Sequence, residues 1–191
     1  MLKGLAPLVS PQTRLLILGS FPGVVSLQTQ RYYGHPQNHF WPVLEAIYGC
    51  SPTKTGASSY EIRSNWLLSK GLGVWDVYAS CTREGSLDSQ IRGAVLNDFS
   101  SLMLQCPNLQ AVAHNGGESF RHSKRVEESM QRCAVQREGN SNVTSNVNSN
   151  VNSKAPQFYK LPSTSRANAS WSFERKLAAW REVFEKHGLN E

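Results

Sequence analysis

The sequence lacks long hydrophobic runs. Its apolar stretches, such as residues 15–18 (LLIL), are far shorter than the roughly 20 residues that a bilayer-spanning helix needs. Residues 1–9 are interrupted by Pro7 and contain no signal-peptide core. We therefore expect neither a membrane protein nor a secreted one. The expectation is an intracellular protein, cytoplasmic in a prokaryote and nuclear or mitochondrial in a eukaryote.

Paired cysteines are also missing. Cys50, Cys81, Cys106 and Cys133 are widely separated, and none belongs to a CxxC or Cys/His pair of the kind that holds zinc or an iron–sulfur cluster. This spacing predicts four buried thiols in a reducing compartment. We expect no metal and no cofactor.

Charge is scarce as well. Only 18% of the residues are charged, and 20 Lys+Arg against 14 Asp+Glu give a net charge of +6. A small positive excess suits a polyanionic partner such as nucleic acid, yet many proteins without such a partner have it too. Charge alone therefore leaves the partner open.

The length of 191 residues fits one compact domain, and we expect a monomer with a single domain over residues 1–191. One tract differs in composition from the rest: residues 139–154 (GNSNVTSNVNSNVNSK) are repetitive and contain no aromatic side chain. Such a tract buries too little apolar area to offset its ordering entropy. It is predicted to be a disordered surface loop inserted into the domain.

Outside this tract, short apolar runs alternate with amphipathic stretches. Residues 14–19, 73–78, 109–114 and 157–161 are predicted to be buried strands. Strands that alternate with helices predict an α/β fold with a mostly parallel sheet, covered by helices on both faces. Ligands of such folds bind beyond the C-terminal ends of the strands.

The stretches between the strands have helical periodicity. Phe40, Leu44 and Ile47 share one helical face, and similar spacings predict helices near residues 99–106 and 120–133. The last helix is the clearest, because its apolar positions recur every three or four residues. Those positions are Phe173, Leu177, Trp180 and Phe184, with Ser172 as the expected N-cap and Gly188 as the expected stop.

Polar and aromatic clusters follow the predicted strands. Residues 19–23 (GSFPG) form a tight loop whose backbone amides can approach a ligand, although any buried strand needs a turn there. Residues 32–41 (YYGHPQNHFW) offer aromatic faces for stacking on a base and polar groups for hydrogen bonds. Within them, Phe40 and Trp41 are expected in the core, and Asn38 is equally a candidate N-cap of the following helix.

Two more clusters follow the third and fourth strands. Residues 114–117 (HNGG) open a helix, and residues 161–168 (LPSTSRAN) form a Ser/Thr-rich loop. Such a loop before a helix can cradle a phosphate, or it can simply cap the helix. All the clusters fall at the same end of the predicted sheet, where one crevice could use them together.

Three blocks of sequence combine these clusters into a recognisable pattern. They are LILGSFPGVVSL…YYGHPQNHFWPVL at 16–44, GVWDVYASCTREGSLDSQI at 73–91 and LPSTSRANASWSFERKLAAW at 161–180. In this order the blocks resemble the uracil-DNA glycosylase superfamily, and within it family 6, the hypoxanthine (deoxyinosine) DNA glycosylases. The resemblance implies a three-layer αβα sandwich with a four-stranded mostly parallel sheet. It also implies hydrolytic removal of a deaminated base from DNA, without a metal.

The resemblance also implies roles for individual residues. Phe21 stands where the superfamily holds a water-activating Asp or Asn, so that role passes to Asn38, the predicted catalytic residue. Tyr33 matches the aromatic on which the base stacks, and Asn115 matches an asparagine near the base edge. The remaining residues implied in binding are Ser20 and Phe21 for the base, and Ser163, Thr164, Ser165, Arg166 and Asn168, whose loop grips phosphates and wedges into the duplex.

Two positions depart from the family pattern: HNG stands for FNG at residues 114–116, and Arg166 stands where proline is common. They bear on substrate preference more than on fold. Carboxylates are few near the loops, and Asp76 is expected to lie within a strand and bond to the backbone. The attacking water is therefore expected to be positioned by Asn38 and the sugar cation to be stabilised largely by DNA phosphates.

Two other classes of function stay open at this point. One is a catalytically silent nucleic-acid-binding domain of the same fold, and the other is a hydrolase of free nucleosides. The sequence does not decide between hypoxanthine, uracil and xanthine, or between single- and double-stranded DNA.

Overall fold

The computed structural model describes residues 1–52, 60–139 and 155–190, with the backbone alone for 133–139. The predicted insert at 139–154 therefore lies, beyond Gly139, outside the described residues, as does the side chain of Cys133. The strands are β1 (Leu2–Lys3), β2 (Leu15–Gly19), β3 (Leu72–Asp76), β4 (Tyr78–Thr82), β5 (Arg92–Leu96), β6 (Ala111–Asn115) and β7 (Gln157–Leu161). The α-helices are α1 (Val24–Thr29), α2 (Phe40–Tyr48), α3 (Tyr60–Ser69), α4 (Leu102–Gln105), α5 (Gly117–Phe120), α6 (Ser123–Gly139) and α7 (Phe173–Lys186), with a 3-10 turn at Asp88–Gln90.

The central sheet has four parallel strands in the order β3-β2-β6-β7. Residues 15–18 of β2 are fully buried, as expected of a strand with helices over both of its faces. The connections leave β2 in opposite directions, toward β3 on one side and toward β6 and β7 on the other. Because such crossovers are right-handed, the helices fall on both faces. The predicted three-layer αβα sandwich is confirmed.

A second, three-stranded antiparallel sheet in the order β1-β4-β5 was not predicted. The predicted strand at 73–78 is in fact two strands, since β3 ends at Asp76 and β4 begins at Tyr78. The break follows from hydrogen bonds to the loop after β2: Val77 N donates to Gly19 O (2.9 Å) and Tyr78 N to Ser20 O (3.0 Å). The chain therefore turns away beside that loop.

The helices bury the faces predicted from the sequence, and one of them is shorter than predicted. The predicted α2 face is buried, and in α7 the N-cap hydroxyl of Ser172 accepts from Arg175 N at 3.3 Å. The helix predicted near 99–106 is confined to Leu102–Gln105.

The cysteines differ in burial. Cys81 and Cys106 are buried, but Cys50 is exposed, because it comes directly after the left-handed Gly49 that ends α2. The prediction that Cys50 is buried is wrong.

Among the described residues, no helix is both long enough and apolar enough to cross a bilayer. The C-terminal ends of the four parallel strands open instead onto the loops that carry the polar clusters. That end of the sheet therefore holds the candidate site.

Candidate active site

A cavity of about 1210 Å³ lies at the C-terminal ends of the parallel strands. It brings together every site residue expected from the sequence. The cavity is lined by Ser20, Phe21, Tyr33, Asn38, Asn115, Ser163, Thr164, Ser165, Arg166 and Asn168. The expectation that separate clusters share one crevice agrees with the structure. Which of these residues bind or act on a substrate stays a prediction.

Gly19 and Asp76 meet at the floor of this cavity. The two residues are register partners at the ends of β2 and β3. A Cβ on residue 19 would lie 2.3 Å from Asp76 Oδ1, so only glycine leaves room for the carboxyl group. The first glycine of the GSFPG loop is therefore needed to seat Asp76.

Asp76 is the group that the sequence analysis did not select. It is only 5% exposed and lines the cavity, and its Oδ2 atom has no hydrogen-bond partner among the described residues. Burial, helped by the negative charge of Asp88 and opposed by Arg83, raises the pKa of Asp76 to about 7. The expectation that this carboxyl bonds to the backbone is not met. A useful sequence signal would have been an acidic residue that ends a buried strand adjacent to β2.

Tyr33 presents an aromatic ring to the cavity from a strained backbone position. Its φ of 53° is left-handed, a conformation that non-glycine residues rarely adopt. One ring face stacks on Phe40 with centroids 3.7 Å apart and an interplanar angle of 15°. Only the opposite face remains for a planar ligand, and the stacking role implied for Tyr33 stays a prediction.

Asn115 links three parts of the site through its side-chain amide. Its Nδ2 donates to Tyr33 Oη (3.1 Å) and Thr164 Oγ1 (2.9 Å), and its Oδ1 accepts from Thr164 N (2.8 Å). Both amide hydrogens are thus engaged within the protein, and one lone pair of Oδ1 remains. A contact between Asn115 and a base stays a prediction, and it is limited to that lone pair.

Thr164 anchors the loop at residues 163–168. The residue is fully buried, and its carbonyl also accepts from His39 N at 3.0 Å, next to the start of α2. Its hydroxyl faces Asn115 rather than solvent. The contacts of Thr164 in this structure support the loop, and its predicted contact with DNA stays a prediction.

Asn38 keeps more of its amide free. Its Oδ1 accepts from Phe40 N, the first residue of α2, at 3.0 Å, while Nδ2 donates to no other described residue. The side chain is partly buried at the cavity wall. The prediction that Asn38 is the N-cap is wrong, because the N-cap of α2 is His39. Apart from the bond from Phe40 N, the Asn38 amide is available to a water, so its role in positioning a water stays a prediction.

The loop at 163–168 is preorganised by bonds within itself. Ser163 Oγ accepts from Ser165 N (3.2 Å), and Asn168 Nδ2 donates to Ser163 O (3.1 Å). The loop also rests on Gly116, whose φ is 111° and where a Cβ would lie 3.0 Å from Ser163 Cβ. A rigid loop that carries hydroxyls can receive a phosphate with little ordering cost.

Two cations lie at this loop. Lys176 of α7 is almost fully buried, and its Nζ donates to Ser165 O at 3.3 Å. Burial lowers the pKa of Lys176 from its usual value. Arg166 is exposed and donates to Gln37 Oε1. Lys176 was not selected from the sequence, because a lysine in an amphipathic helix is normally solvated.

Ser20 and Phe21 form the wall next to β2. Ser20 Oγ donates to Asp88 Oδ1 at 2.6 Å. Phe21 is buried, with the guanidinium of Arg83 5.1 Å from its ring centre, and Arg83 donates to Pro22 O. The phenyl ring supplies no group that could polarise a water, in agreement with the sequence analysis.

The histidine that departs from the family pattern has a structural position. His114 is fully buried, and its Nδ1 lies 2.8 Å from Ser119 Oγ. Since that hydroxyl donates to Leu18 O (2.8 Å), Nδ1 of His114 must be the donor to it. Burial lowers the pKa of His114 to about 4, so the ring is neutral and connects β6 to β2 through Ser119.

In the part of the chain that the structure describes, no group of three or more His, Cys, Asp or Glu could hold a metal ion.

Comparisons with known proteins identify the family of the chain. The model of the uracil DNA glycosylase superfamily matches residues 6–184. A hypoxanthine DNA glycosylase from Methanosarcina barkeri is 39% identical over 117 residues, which cover 61% of this chain and 72% of that protein. A hypoxanthine DNA glycosylase from Methanosarcina acetivorans is 36% identical over 114 residues, or 60% of this chain and 70% of that protein. A solution NMR structure from M. acetivorans, solved as a candidate uracil DNA glycosylase, superposes with a TM-score of 0.71 and 28% identity, covering 97% of this chain and 98% of that one.

Proposed function

The chain belongs to the uracil-DNA glycosylase superfamily, and from that premise we propose that it removes hypoxanthine from deoxyinosine in DNA by hydrolysing the N-glycosyl bond. The two relatives named as hypoxanthine DNA glycosylases support the choice of base. We propose uracil in DNA as its second substrate. The product is an abasic site, from which base excision repair starts.

The observation that carries the proposal is the composition of the cavity at the strand ends. It combines an aromatic face on Tyr33, an amide on Asn38 and a buried carboxyl on Asp76. A base inside a duplex cannot reach such a cavity, so the nucleotide must flip out of the stack at a cost of a few kcal/mol. A mispaired inosine or uracil flips more cheaply than a paired base, which favours deaminated bases before any contact is made.

Asp76 is the residue that hydrogen-bonds to the edge of the flipped base. Because both amide hydrogens of Asn115 are engaged by Tyr33 and Thr164, another donor is needed for the carbonyl oxygen of hypoxanthine. With a pKa of about 7, Asp76 is largely protonated below neutral pH, and a neutral carboxyl has an O–H donor. That donor complements the carbonyl oxygen that hypoxanthine and uracil both present.

The attacking water is assigned to Asn38. The hydrogen bond that its Oδ1 accepts from Phe40 N fixes the amide, and a fixed amide orients a water without acting as a strong base. Orientation alone can contribute several kcal/mol to a barrier reduction. The sugar becomes cationic as the base leaves, and the phosphates on either side of it supply the negative charge that stabilises it.

The experiment compares three substrates for the purified chain. Inosine in duplex DNA, the same DNA without inosine, and free deoxyinosine are each incubated with the protein, and abasic sites are then cleaved by alkali. The proposal predicts cleavage at inosine in DNA and no hydrolysis of the free nucleoside. Binding without cleavage would identify a silent nucleic-acid-binding domain, and hydrolysis of free deoxyinosine would identify a nucleoside hydrolase.

A further inference from the structure

Asp88 is a second carboxylate in the wall of the cavity, next to Ser20. Ser20 Oγ donates to Asp88 Oδ1 at 2.6 Å, a length typical of a hydroxyl that donates to an ionised carboxylate. Backbone bonds hold both partners in place. Ile91 N donates to Asp88 O (3.0 Å) in the 3-10 turn. Tyr78 N donates to Ser20 O (3.0 Å), so the pair is built into the cavity wall.

The bond to Asp88 fixes the polarity of the Ser20 hydroxyl. Desolvation raises the pKa of Asp88, while the bond from Ser20 and the charge of Arg83 oppose this rise and the charge of Glu118 adds to it. A serine hydroxyl has one hydrogen and two lone pairs, and an ionised carboxylate only accepts. The hydrogen of Ser20 is therefore committed to Asp88. For a ligand in the cavity, Ser20 is an acceptor.

Asp88 also acts on Asp76 through its charge. That charge adds to the effect of burial and raises the pKa of Asp76, so Asp76 keeps its proton, and its O–H donor, to a higher pH. The other charge acting on Asp76 is that of Arg83, which lowers its pKa. The phenols of Tyr32 and Tyr33 also face Asp76, and burial raises their pKa values, so both stay neutral.

A donor and an acceptor thus lie at neighbouring positions of the cavity. Asp76 is seated against Gly19, and Ser20 is the next residue of the chain. Hypoxanthine presents a C=O at C6 and an N–H at N1, whereas adenine presents an NH₂ at C6 and a lone pair at N1. Uracil and cytosine differ in the same way. Because flipped bases are read at this edge, a donor on Asp76 with an acceptor on Ser20 fits the deaminated base and opposes its parent.

We propose that Asp88 sets the choice between deaminated and parent bases, as a positioning residue that acts through its bond to Ser20 and its charge near Asp76. This inference rests on the proposed function. The competing acceptor for the N–H of the base is the remaining lone pair on Asn115 Oδ1. The two acceptors are separated by replacing Ser20.

The test compares Asp88→Asn with a matched control, Glu84→Gln. Glu84 is exposed in the same segment and does not line the cavity. The amide of Asp88→Asn can donate to Ser20 and so free the hydroxyl hydrogen for a base. Single-turnover excision is measured on duplexes with deoxyinosine or with deoxynebularine, whose base has a lone pair at N1 and no oxygen at C6. The pH is kept low enough for Asp76 to be protonated in every variant.

Asp88→Asn is expected to lower the ratio of the deoxyinosine rate to the deoxynebularine rate about tenfold or more, because one polar group of the bound hypoxanthine is left unpaired. Ser20→Ala should give an intermediate ratio, since it removes the acceptor without adding a donor. Both substitutions together should match Ser20→Ala, because Asp88 then has no hydroxyl to act through. In a pH series, the decline in deoxyinosine excision should move to lower pH in Asp88→Asn, because Asp76 has lost a neighbouring negative charge. Glu84→Gln should keep the wild-type ratio and pH series.

The outcomes separate this inference from the proposed function. An active wild type with the same ratio and pH series as Asp88→Asn would overturn the inference alone. It would also be overturned by an equal loss in Glu84→Gln, by a wild-type ratio in Ser20→Ala, which would identify Asn115 as the acceptor, or by a combined variant with a lower ratio than Ser20→Ala.

Melting curves check that each variant is folded. If Asp88→Asn does not fold, the ratio for Ser20→Ala decides, since an unchanged ratio contradicts an acceptor at Ser20. A wild type that cuts neither substrate would overturn the proposed function and this inference with it.

Discussion

Asn38 and Asn115 line the same cavity but use their amides differently. Asn115 makes three hydrogen bonds, to Tyr33 and Thr164, and these hold the loop at 163–168 against β6. Asn38 makes one side-chain bond, to the start of α2, and its Nδ2 has no partner among the described residues. Residue type predicts which side chains lie at the site. The hydrogen bonds that each side chain already makes within the protein decide whether it is available to a substrate.

The largest expected effect comes from replacing the available amide. Asn38→Ala should lose about a hundredfold or more in single-turnover excision, because the water loses its orientation, and only about 0.5–1.5 kcal/mol of stability from the lost hydrogen bond to Phe40 N. Asn38→Asp keeps an acceptor for Phe40 N and adds a base, so it should retain activity. Rates are measured beside melting curves, with binding to inosine DNA as the control for folding. An Asn38→Ala protein that cuts at the wild-type rate would remove Asn38 from the mechanism.

Asn115, whose amide is already hydrogen-bonded within the protein, should matter more for stability than Asn38. Asn115→Ala leaves the buried Thr164 N without its acceptor, which costs about 1–3 kcal/mol. The denaturant midpoint of Asn115→Ala should therefore fall below that of Asn38→Ala, with an unchanged m-value. Equal midpoints for the two variants would erase the contrast between the two asparagines.

Asp76 tests whether the base edge is read by a group other than Asn115. Excision should decline as the pH rises through about 7, where the folded protein loses the proton of Asp76. Asp76→Asn, which has a donor at every pH, should flatten this decline. The carboxyl titrates near its ordinary value of 3.8 when unfolded, so the folded state binds the extra proton between these pH values. Stability should therefore fall with rising pH across that range. A pH–rate profile that is identical for the wild type and Asp76→Asn would exclude this role.

The smallest expected effect concerns Arg166, which joins the loop at 163–168 to the segment of Asn38 through Gln37. With a net charge of +6, we expect a slope of log K against log salt of roughly −2 to −4 for DNA binding. Arg166→Ala should make that slope less steep by about 0.9, the value for one phosphate. Binding titrations at several salt concentrations measure it, and an unchanged slope would place Arg166 away from the phosphates.

The parallel sheet could be predicted because its strands are continuous apolar runs, as in residues 15–18. The antiparallel sheet could not, since β1 has two residues and β5 is largely exposed, so that neither carries a pattern of its own. These strands form through pairing with β4. Long-range pairing outweighs local preference in such cases.

The residues of the site could be predicted from the sequence, but not which of them are free to contact a substrate. Asn115 and Thr164 looked like ligand groups in the sequence, and only the folded chain shows that they bond to each other. Asp76 does lie in a strand as expected, at the end of β3, but its place in the cavity depends on Gly19 in the neighbouring strand. Hydrogen bonds between distant segments leave no local signal.

The most direct test of the account identifies the product released from inosine duplex DNA by the intact chain. Mass spectrometry of the small-molecule fraction should find free hypoxanthine, in an amount equal to the abasic sites in the DNA, and Asn38→Ala should release almost none while still binding the duplex. Release of deoxyinosine in place of hypoxanthine, or no release at all by a folded, DNA-binding wild type, would contradict the account.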